Sequence, residues 1–284
     1  MELIVTKNPQ SSAIQIEPAD GVGAYVSNCD LSQPPGSDTV QTLKQALGAH
    51  GVLFFHAQSL TPEQHITLAE CFGQININRF FPKVDGHPQI AEVKKKPSQS
   101  VNIGAKWHTD HSYDLAPAMG SILVSRQTPK RGGDTVFANM FLAYDYLSDG
   151  LKATISQLKA VHSSRHVFGS GVKDVDRFSN ADAATQDTIH PMVISHPISG
   201  RKALYINPEF TIGIDGWKKE EGTPLLEMLY RHATRPEFTH RFKWKPGSIA
   251  FWDNRATWHC ALNDYPTETR IMHRITVAGE PLSA

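Results

Sequence analysis

The tetrapeptide Trp107-His108-Thr109-Asp110 carries the sharpest chemical signal in the sequence. If this segment is extended, His108 and Asp110 point to the same side, because side chains alternate along a strand. An imidazole nitrogen and a carboxylate oxygen together suit a borderline divalent metal such as Fe(II). The best candidate for a third ligand is His259, 149 positions after Asp110. Two histidines and one carboxylate leave three coordination positions open, two for a bidentate co-substrate and one for dioxygen.

The terminal segment 270–277 is a predicted strand that places Arg270 and Arg274 on one face. Two long side chains there could serve two anions in one cavity, each anion held by a planar, bidentate guanidinium. No acidic residue lies two positions away from either arginine on that face of the strand. The alternative is a solvated outer face with two ordinary surface arginines, and the residues alone leave this open.

A third feature is Arg131-Gly132-Gly133-Asp134-Thr135. The glycine pair lets the chain turn sharply before Thr135 enters a strand, where its hydroxyl can donate to a carboxylate. His111 would face away from His108 on a strand, so we expect it in solvent or behind the metal ligands. The sequence has no GxGxxG, GxxxxGK[ST], HExxH or GxSxG motif, which disfavours nucleotide-binding, zincin and α/β-hydrolase functions.

Composition narrows the class of protein. The 284 residues are 40% hydrophobic and 20% charged, which excludes a disordered chain and a coiled coil. Because 28 basic residues balance 28 acidic ones, no global positive field would attract nucleic acid or an anionic membrane. No apolar run approaches the ~20 residues that span a bilayer. Three scattered cysteines disfavour a disulfide framework, and the absence of a CxxC pair disfavours a thiolate zinc site. We expect a cytoplasmic protein.

The elements that must position these residues are short strands with a few helices. Thr61-Pro62-Glu63-Gln64 is typical of a helix start, with an N-cap, a proline and a capping-box glutamine. Other helices are predicted over 37–47, after Ser148 and from Thr223-Pro224. Predicted strands are 51–55, 121–125, 203–207, 241–244, 249–252 and 270–277. Without regular β-α alternation, they predict a sandwich or barrel with outer helices, in a single domain over 1–284.

Together, the ordered motifs resemble the TauD/TfdA family of Fe(II)- and 2-oxoglutarate-dependent dioxygenases along residues 14–279. Beyond those above, they include His196-Pro197, Leu204-Tyr205-Ile206-Asn207 and Trp252-Asp253-Asn254-Arg255. The resemblance implies a mainly β fold with flanking helices, a double-stranded β-helix or jelly roll. It implies that His108, Asp110 and His259 bind iron. It further implies that Thr135 and Arg270 hold the distal carboxylate of 2-oxoglutarate and that Arg274 faces the substrate.

The same resemblance implies hydroxylation of a small anionic organic substrate with O2, releasing succinate and CO2. Asn78 and Phe81 stand where taurine oxidisers carry a substrate-contacting His and Tyr, and Gly104 stands where they carry an Asn. We therefore expect an aryloxyalkanoate, alkyl sulfonate or alkyl sulfate, bound partly by Asn78 and Phe81. Segments 161–169 and 177–180 resemble the aryloxyalkanoate branch. We also expect a dimer or tetramer.

Two questions stay open from the sequence. Phe80, Phe81 and Phe168 either line the substrate pocket or belong to the core, where most phenylalanines lie. The alternative function is a non-redox jelly-roll protein that uses the same triad to bind zinc for hydrolysis, or merely binds a ligand. The apparently complete co-substrate residues Thr135 and Arg270 argue against it, since hydrolysis needs neither.

Overall fold

Seventeen strands in four sheets and six α-helices form the part of the chain that the computed structural model describes, residues 13–100, 102–169, 178, 180–185 and 187–284. The strands are β1 Gln15–Pro18, β2 Ala24–Ser27, β3 Val52–Phe55, β4 Ile75–Asn76, β5 Lys83–Val84, β6 His87–Lys95, β7 Gly120–Gln127, β8 Thr135–Asn139, β9 Lys159–Ser163, β10 Asp187–Pro191, β11 Val193–Ser195, β12 Lys202–Leu204, β13 Thr211–Ile214, β14 Thr239–Phe242, β15 Ile249–Asp253, β16 Thr257–Ala261 and β17 Arg270–Val277. The helices are α1 Ser37–His50, α2 Pro62–Glu70, α3 Met140–Asp145, α4 Asp149–Ile155, α5 Arg165–Phe168 and α6 Lys219–Ala233.

Two facing sheets form the centre of the fold. The larger sheet has the order β1-β2-β3-β15-β7-β17-β6-β5, with β4 also paired to β17. The smaller sheet, β14-β8-β16, packs against it through aromatic side chains such as Phe54 and Phe242, whose ring centroids lie 4.5 Å apart. Two face-to-face, largely antiparallel sheets confirm the predicted mainly β jelly-roll fold.

Helices cover both outer faces of this sandwich. On the larger sheet, α1 and α2 bury Leu47 and Leu68 against strand residues that include Ile122 and Ile275. On the smaller sheet, α3 and α6 pack in a core around Trp258. The predicted capping box starts α2, since Thr61 and Gln64 exchange side-chain to backbone hydrogen bonds of 2.8 and 3.2 Å. Within the described ranges, no helix combines the length and apolarity needed to cross a membrane.

The structure corrects the predicted start of one helix. The helix predicted from Thr223 begins at Lys219, so Pro224 lies inside it. The earlier start has a physical cause: the Lys218 amide donates to the Glu221 side chain at 3.1 Å, and acidic residues favour the first turn. The predicted strands also omit β6, because its polar and charged side chains, including a buried Lys95, obscure the alternation of apolar residues.

Candidate metal and co-substrate site

A pair of backbone hydrogen bonds brings the two candidate histidines together. His259 lies on β16, while His108 lies outside the strands. His108 nevertheless forms an isolated antiparallel bridge with His259, with N–H···O=C distances of 3.1 and 2.8 Å. The ring centroids lie 4.0 Å apart. The segment around His108 is thus not a continuous strand, but the bridge places both rings beside Asp110.

One donor atom from each of His108, Asp110 and His259 lies within 4.8 Å of the other two. His108 Nε2 is 3.8 Å from Asp110 Oδ1. His108 Nδ1 donates to the Lys106 carbonyl at 2.7 Å, which leaves the lone pair of Nε2 available on the side of Asp110. Two imidazoles and one carboxylate, all buried, fit a first-row divalent cation.

The charge states of this triad also suit metal binding. Burial raises the pKa of Asp110, but the charge of Arg274 and then those of neighbouring histidines outweigh it and hold that pKa far below its usual value. Burial, followed by the proximity of His108, holds the pKa of His259 well below its ordinary value. At neutral pH the carboxylate is therefore ionised and the His259 imidazole neutral, as ligands must be.

The turn that leads to His259 is fixed by a buried ion pair. Asp253, at the end of β15, accepts hydrogen bonds from Arg255 at 2.8 and 2.6 Å and from His196 at 3.0 Å. This contact explains why the Trp252-Asp253-Asn254-Arg255 and His196-Pro197 motifs occur together, although they are far apart in sequence. They position β16, and His259 with it, against the larger sheet.

Arg270 and Thr135 meet between the two sheets. Arg270 Nη2 lies 3.5 Å from Thr135 Oγ1, which also accepts a hydrogen bond from Trp244 Nε1 at 2.9 Å. Arg270 is buried, its Nε has no hydrogen-bond partner, and no carboxylate forms an ion pair with it within the described part of the chain. Burial lowers the pKa of Arg270. Burying a guanidinium without an ion-pair partner costs stability unless an anion binds to it. Its burial therefore argues against the alternative that this face of β17 is solvated.

Arg274 shares that buried face but has an acidic partner. Its Nη1 donates to Asp110 Oδ1 at 2.8 Å, while Ser121 donates to Asp110 Oδ2 at 2.8 Å. The guanidinium carbon lies 4.7 Å from the centroid of the Phe81 ring. The acid that β17 itself does not supply therefore comes from the segment that carries two of the candidate metal ligands, His108 and Asp110.

A cavity of about 290 Å³ connects these groups. Its polar lining includes the residues predicted to bind metal, co-substrate and substrate: His108, Asp110, Thr135, His259, Arg270 and Arg274. Its apolar lining includes Phe81, Tyr113, Phe168, Phe178 and Phe210. The cavity thus has one charged region and one aromatic wall, a layout suited to a small organic anion.

Gly104 also lines the cavity, and its backbone explains the absence of a side chain there. Its φ of +74° lies in the left-handed region, and a Cβ at this position would lie 3.1 Å from Cε1 of His108. A larger residue would therefore press on a candidate metal ligand.

Asn78, which was predicted to contact the substrate, is not among the residues that line the cavity in the described part of the chain. Its side chain is buried and bonded to the backbone of Phe80 and Phe81 and to the ring of His111. Phe80 is part of the core and stacks on Phe168, with centroids 4.4 Å apart. Phe81 and Phe168 reach the cavity, so the three phenylalanines divide between pocket and core.

Two other expectations concern the neighbourhood of the site. His111 is fully buried and hydrogen-bonded, so it is not in solvent. Of the segment 177–180, residues 177 and 179 lie outside the described residues, while Phe178 lines the cavity. Sequence reasoning missed Ser121 and Trp244, which orient Asp110 and Thr135. No local motif marks them, because their partners are far away in the sequence.

A sequence model of the taurine catabolism dioxygenase TauD, TfdA family matches residues 15–276. The chain is 35% identical over 280 residues to an alpha-ketoglutarate-dependent sulfate ester dioxygenase of Pseudomonas putida, covering 96% of this chain and 92% of that protein. It is 36% identical over 282 residues to an alkylsulfatase of Acinetobacter baylyi, covering 96% and 87%.

A solved structure shows the same overall architecture. The crystal structure of AAD-2 in complex with Mn(II) and N-oxalylglycine is similar to this chain with a TM-score of 0.81 and 31% sequence identity. The match covers 96% of this chain and 100% of the other. The shared fold therefore extends over the whole region that holds the candidate site.

Proposed function

This chain belongs to the TauD/TfdA family of 2-oxoglutarate-dependent dioxygenases, and from that premise we propose that it uses Fe(II) to oxidise a small sulfate ester. It is an oxidoreductase whose co-substrates are 2-oxoglutarate and O2. One observation supports the assignment of residues most strongly: the buried His/Asp/His triad and Arg270, which has no ion-pair partner in the described part of the chain, line a single cavity.

In this proposal His108, Asp110 and His259 hold the iron. With 2-oxoglutarate and dioxygen, the metal centre supplies oxidising power for an unactivated C–H bond, and 2-oxoglutarate leaves as succinate and CO2. Arg270 and Thr135 bind the distal carboxylate, the arginine through charge-assisted donors and the threonine through its hydroxyl. The Arg270 Nε that lacks a partner in the described chain then gains one.

The substrate proposal follows from the two regions of the cavity. Arg274 provides a cation for an anionic head group, and the wall of Phe81, Phe168 and Phe210 accepts an apolar tail. A sulfate ester has both parts. Hydroxylation of the carbon bonded to the ester oxygen gives a hemiacetal sulfate, which breaks down to an aldehyde and hydrogen sulfate.

Aryloxyalkanoates are the second candidate, because the aromatic wall can also stack on an aryl ring. They would place a carboxylate at Arg274 and a phenoxy group against Phe168 and Phe178.

We also propose a single-domain, cytoplasmic enzyme, consistent with three free cysteines. Its assembly as a dimer or tetramer stays a prediction.

The deciding experiment begins with anaerobic addition of Fe(II) and 2-oxoglutarate, which should produce a weak visible metal-to-ligand band. Hexyl sulfate, 2-phenoxypropionate and taurine are then compared for succinate formed above the uncoupled background. We expect hexyl sulfate to give succinate, sulfate and hexanal in equal amounts. Sulfate release by the Zn(II)-loaded protein without 2-oxoglutarate would instead support the hydrolase. Faster turnover of 2-phenoxypropionate would favour the second candidate.

A further inference from the structure

His111 has an unusual backbone for a residue that follows a candidate metal ligand. Its φ is 60°, in the left-handed region that non-glycine residues adopt only at a cost. The side chain is buried and bonded at both ring nitrogens. Nδ1 lies 3.0 Å from Asp114 Oδ2, and Nε2 lies 3.2 Å from Asn78 Nδ2. Two side chains therefore hold the strained residue in place.

The direction of these hydrogen bonds follows from the chemistry of the partners. Asp114 also accepts a hydrogen bond from Arg79 at 2.6 Å, so it is an ionised acceptor and Nδ1 of His111 must donate to it. Nε2 is an acceptor, because it faces Asn78 Nδ2, which can only donate. The partner that donates to it is the amide group of Asn78.

Asn78 also shapes the aromatic wall of the cavity. Its Oδ1 accepts hydrogen bonds from the backbone amides of Phe80 at 2.9 Å and Phe81 at 3.1 Å. The ring of Phe81 packs against Arg274, which donates to Asp110, and Asp110 precedes His111 in the chain. The contacts form a closed circuit from Asn78 through Phe81, Arg274, Asp110 and His111 back to Asn78.

We propose that Asn78 is a positioning residue that acts through His111 on the metal carboxylate Asp110 and through Phe81 on the substrate wall. This inference rests on the proposed function, since it takes Asp110 as a metal ligand. The amide of Asn78 has the reach to accept from two backbone amides through Oδ1 and to donate to an imidazole nitrogen through Nδ2 at once. A carboxylate at position 78 would place a second acceptor against Nε2 of His111. An apolar residue would leave both His111 Nε2 and the backbone amides of Phe80 and Phe81 without this partner.

Affinity for Mn(II), measured by titration without 2-oxoglutarate, tests the half of the circuit that reaches the metal. Removing a group that orients a metal ligand typically weakens metal binding about 10- to 100-fold. We expect Asn78→Ala and His111→Asn each to weaken Mn(II) binding by about tenfold. Asparagine tolerates the left-handed backbone at position 111. Because both changes break one link, the double variant should resemble either single variant instead of adding their effects.

Asn139 provides a matched control. It is equally buried, and its Oδ1 likewise accepts from the amides two and three positions ahead, Phe141 and Leu142, at the start of α3. Asn139→Ala should lower the melting temperature as Asn78→Ala does, yet leave Mn(II) affinity unchanged. A similar loss of Mn(II) affinity in Asn139→Ala would reduce the role of Asn78 to general stability.

A second variant separates the two halves of the circuit and guards against misfolding. In Asn78→Ser, the shorter hydroxyl can still accept from the backbone amides but cannot reach His111. We expect weaker Mn(II) binding with an unchanged KM for hexyl sulfate, whereas Asn78→Ala should also raise that KM several-fold. Wild-type Mn(II) affinity in a folded Asn78 variant would overturn the inference. Failure of the wild-type protein to bind Mn(II) would instead overturn the proposed function, and this inference with it.

Discussion

Arg270 and Arg274 lie on the same face of β17, with 4% and 7% of their surfaces exposed, yet their charges meet opposite surroundings. Arg274 donates to the Asp110 carboxylate at 2.8 Å. Arg270 has the hydroxyl of Thr135 and the ring of Trp244 as neighbours, and no carboxylate pairs with it within the described ranges. Strand alternation thus determines the face of each arginine, but residues from other elements determine its electrostatic role.

The difference distinguishes a cation that is part of the folded protein from one that is prepared for a ligand. A paired guanidinium is already stabilised before any ligand binds, while an unpaired buried one gains its partner only on binding. In the proposed site, Arg274 would couple the carboxylate of Asp110 to the substrate region. Arg270 would serve as an anion site whose binding energy is realised when 2-oxoglutarate enters.

The largest expected effect comes from removing the acid that distinguishes the two arginines. Asp110→Asn keeps the shape of the side chain but deprives Arg274 of its ion pair and the metal of its anionic ligand. We expect turnover, measured as succinate release, to fall below detection and Mn(II) binding to be lost. Asp145→Asn is the control, because Asp145 forms an Arg–Asp pair of the same 2.8 Å length with Arg201 at the surface. Measurable turnover by Asp110→Asn would contradict the assignment of the triad.

Leucine substitutions should change the stability of the metal-free protein in opposite directions. Arg274→Leu leaves Asp110 as an unpaired buried charge, which typically costs about 3–5 kcal/mol. Arg270→Leu removes a buried charge without an acidic partner, so stability should stay equal or rise. Urea unfolding of both variants beside the wild type measures this contrast. Equal destabilisation by the two substitutions would mean that Arg270 also has a structural partner.

Co-substrate binding should depend more on Arg270 than on Arg274, the reverse of the order expected for stability. Loss of a buried, charge-assisted contact costs about 2–5 kcal/mol, so Arg270→Ala should raise the apparent 2-oxoglutarate requirement roughly 30-fold or more. Arg274→Ala should change that requirement less and mainly raise the requirement for hexyl sulfate. The measurement is succinate formation over a 2-oxoglutarate series at fixed iron. An unchanged requirement in Arg270→Ala would place the anion elsewhere.

These arginines also show what the sequence could predict. Period-2 alternation placed both on one strand face, and the observed β17 has the predicted bounds, because a strand repeats its geometry regardless of its neighbours. The capping box of α2 was predictable for the same local reason. The ionic partner of Arg274 was not, since Asp110 lies 164 positions away and reaches it only through the tertiary fold.

Asn78 shows the complementary limit. The resemblance to the family suggested a substrate contact, but the side chain has three hydrogen-bond partners within the protein and is not among the described residues that line the cavity. His108 gives the opposite result, because a backbone bridge to His259 placed it correctly even though its segment is not a strand. Motif spacing therefore identified candidate site residues, while their hydrogen bonds to distant parts of the chain determined which of them line the cavity.

The smallest expected effect concerns the hydrogen bond that orients the Thr135 hydroxyl beside Arg270. Trp244 Nε1 donates to Thr135 Oγ1 at 2.9 Å, which occupies an acceptor position and leaves the threonine proton free to point toward an anion. Trp244→Phe keeps an aromatic ring beside Arg270 but removes this donor. Since a hydrogen bond contributes about 0.5–1.5 kcal/mol, the 2-oxoglutarate requirement should rise roughly 2- to 10-fold, with the hexyl sulfate requirement unchanged. If the indole acts only by orienting the hydroxyl, Thr135→Ala should abolish any further effect of Trp244→Phe. Additive effects in the double variant would show that Trp244 contributes to co-substrate binding by a separate route, through its contact with Arg270.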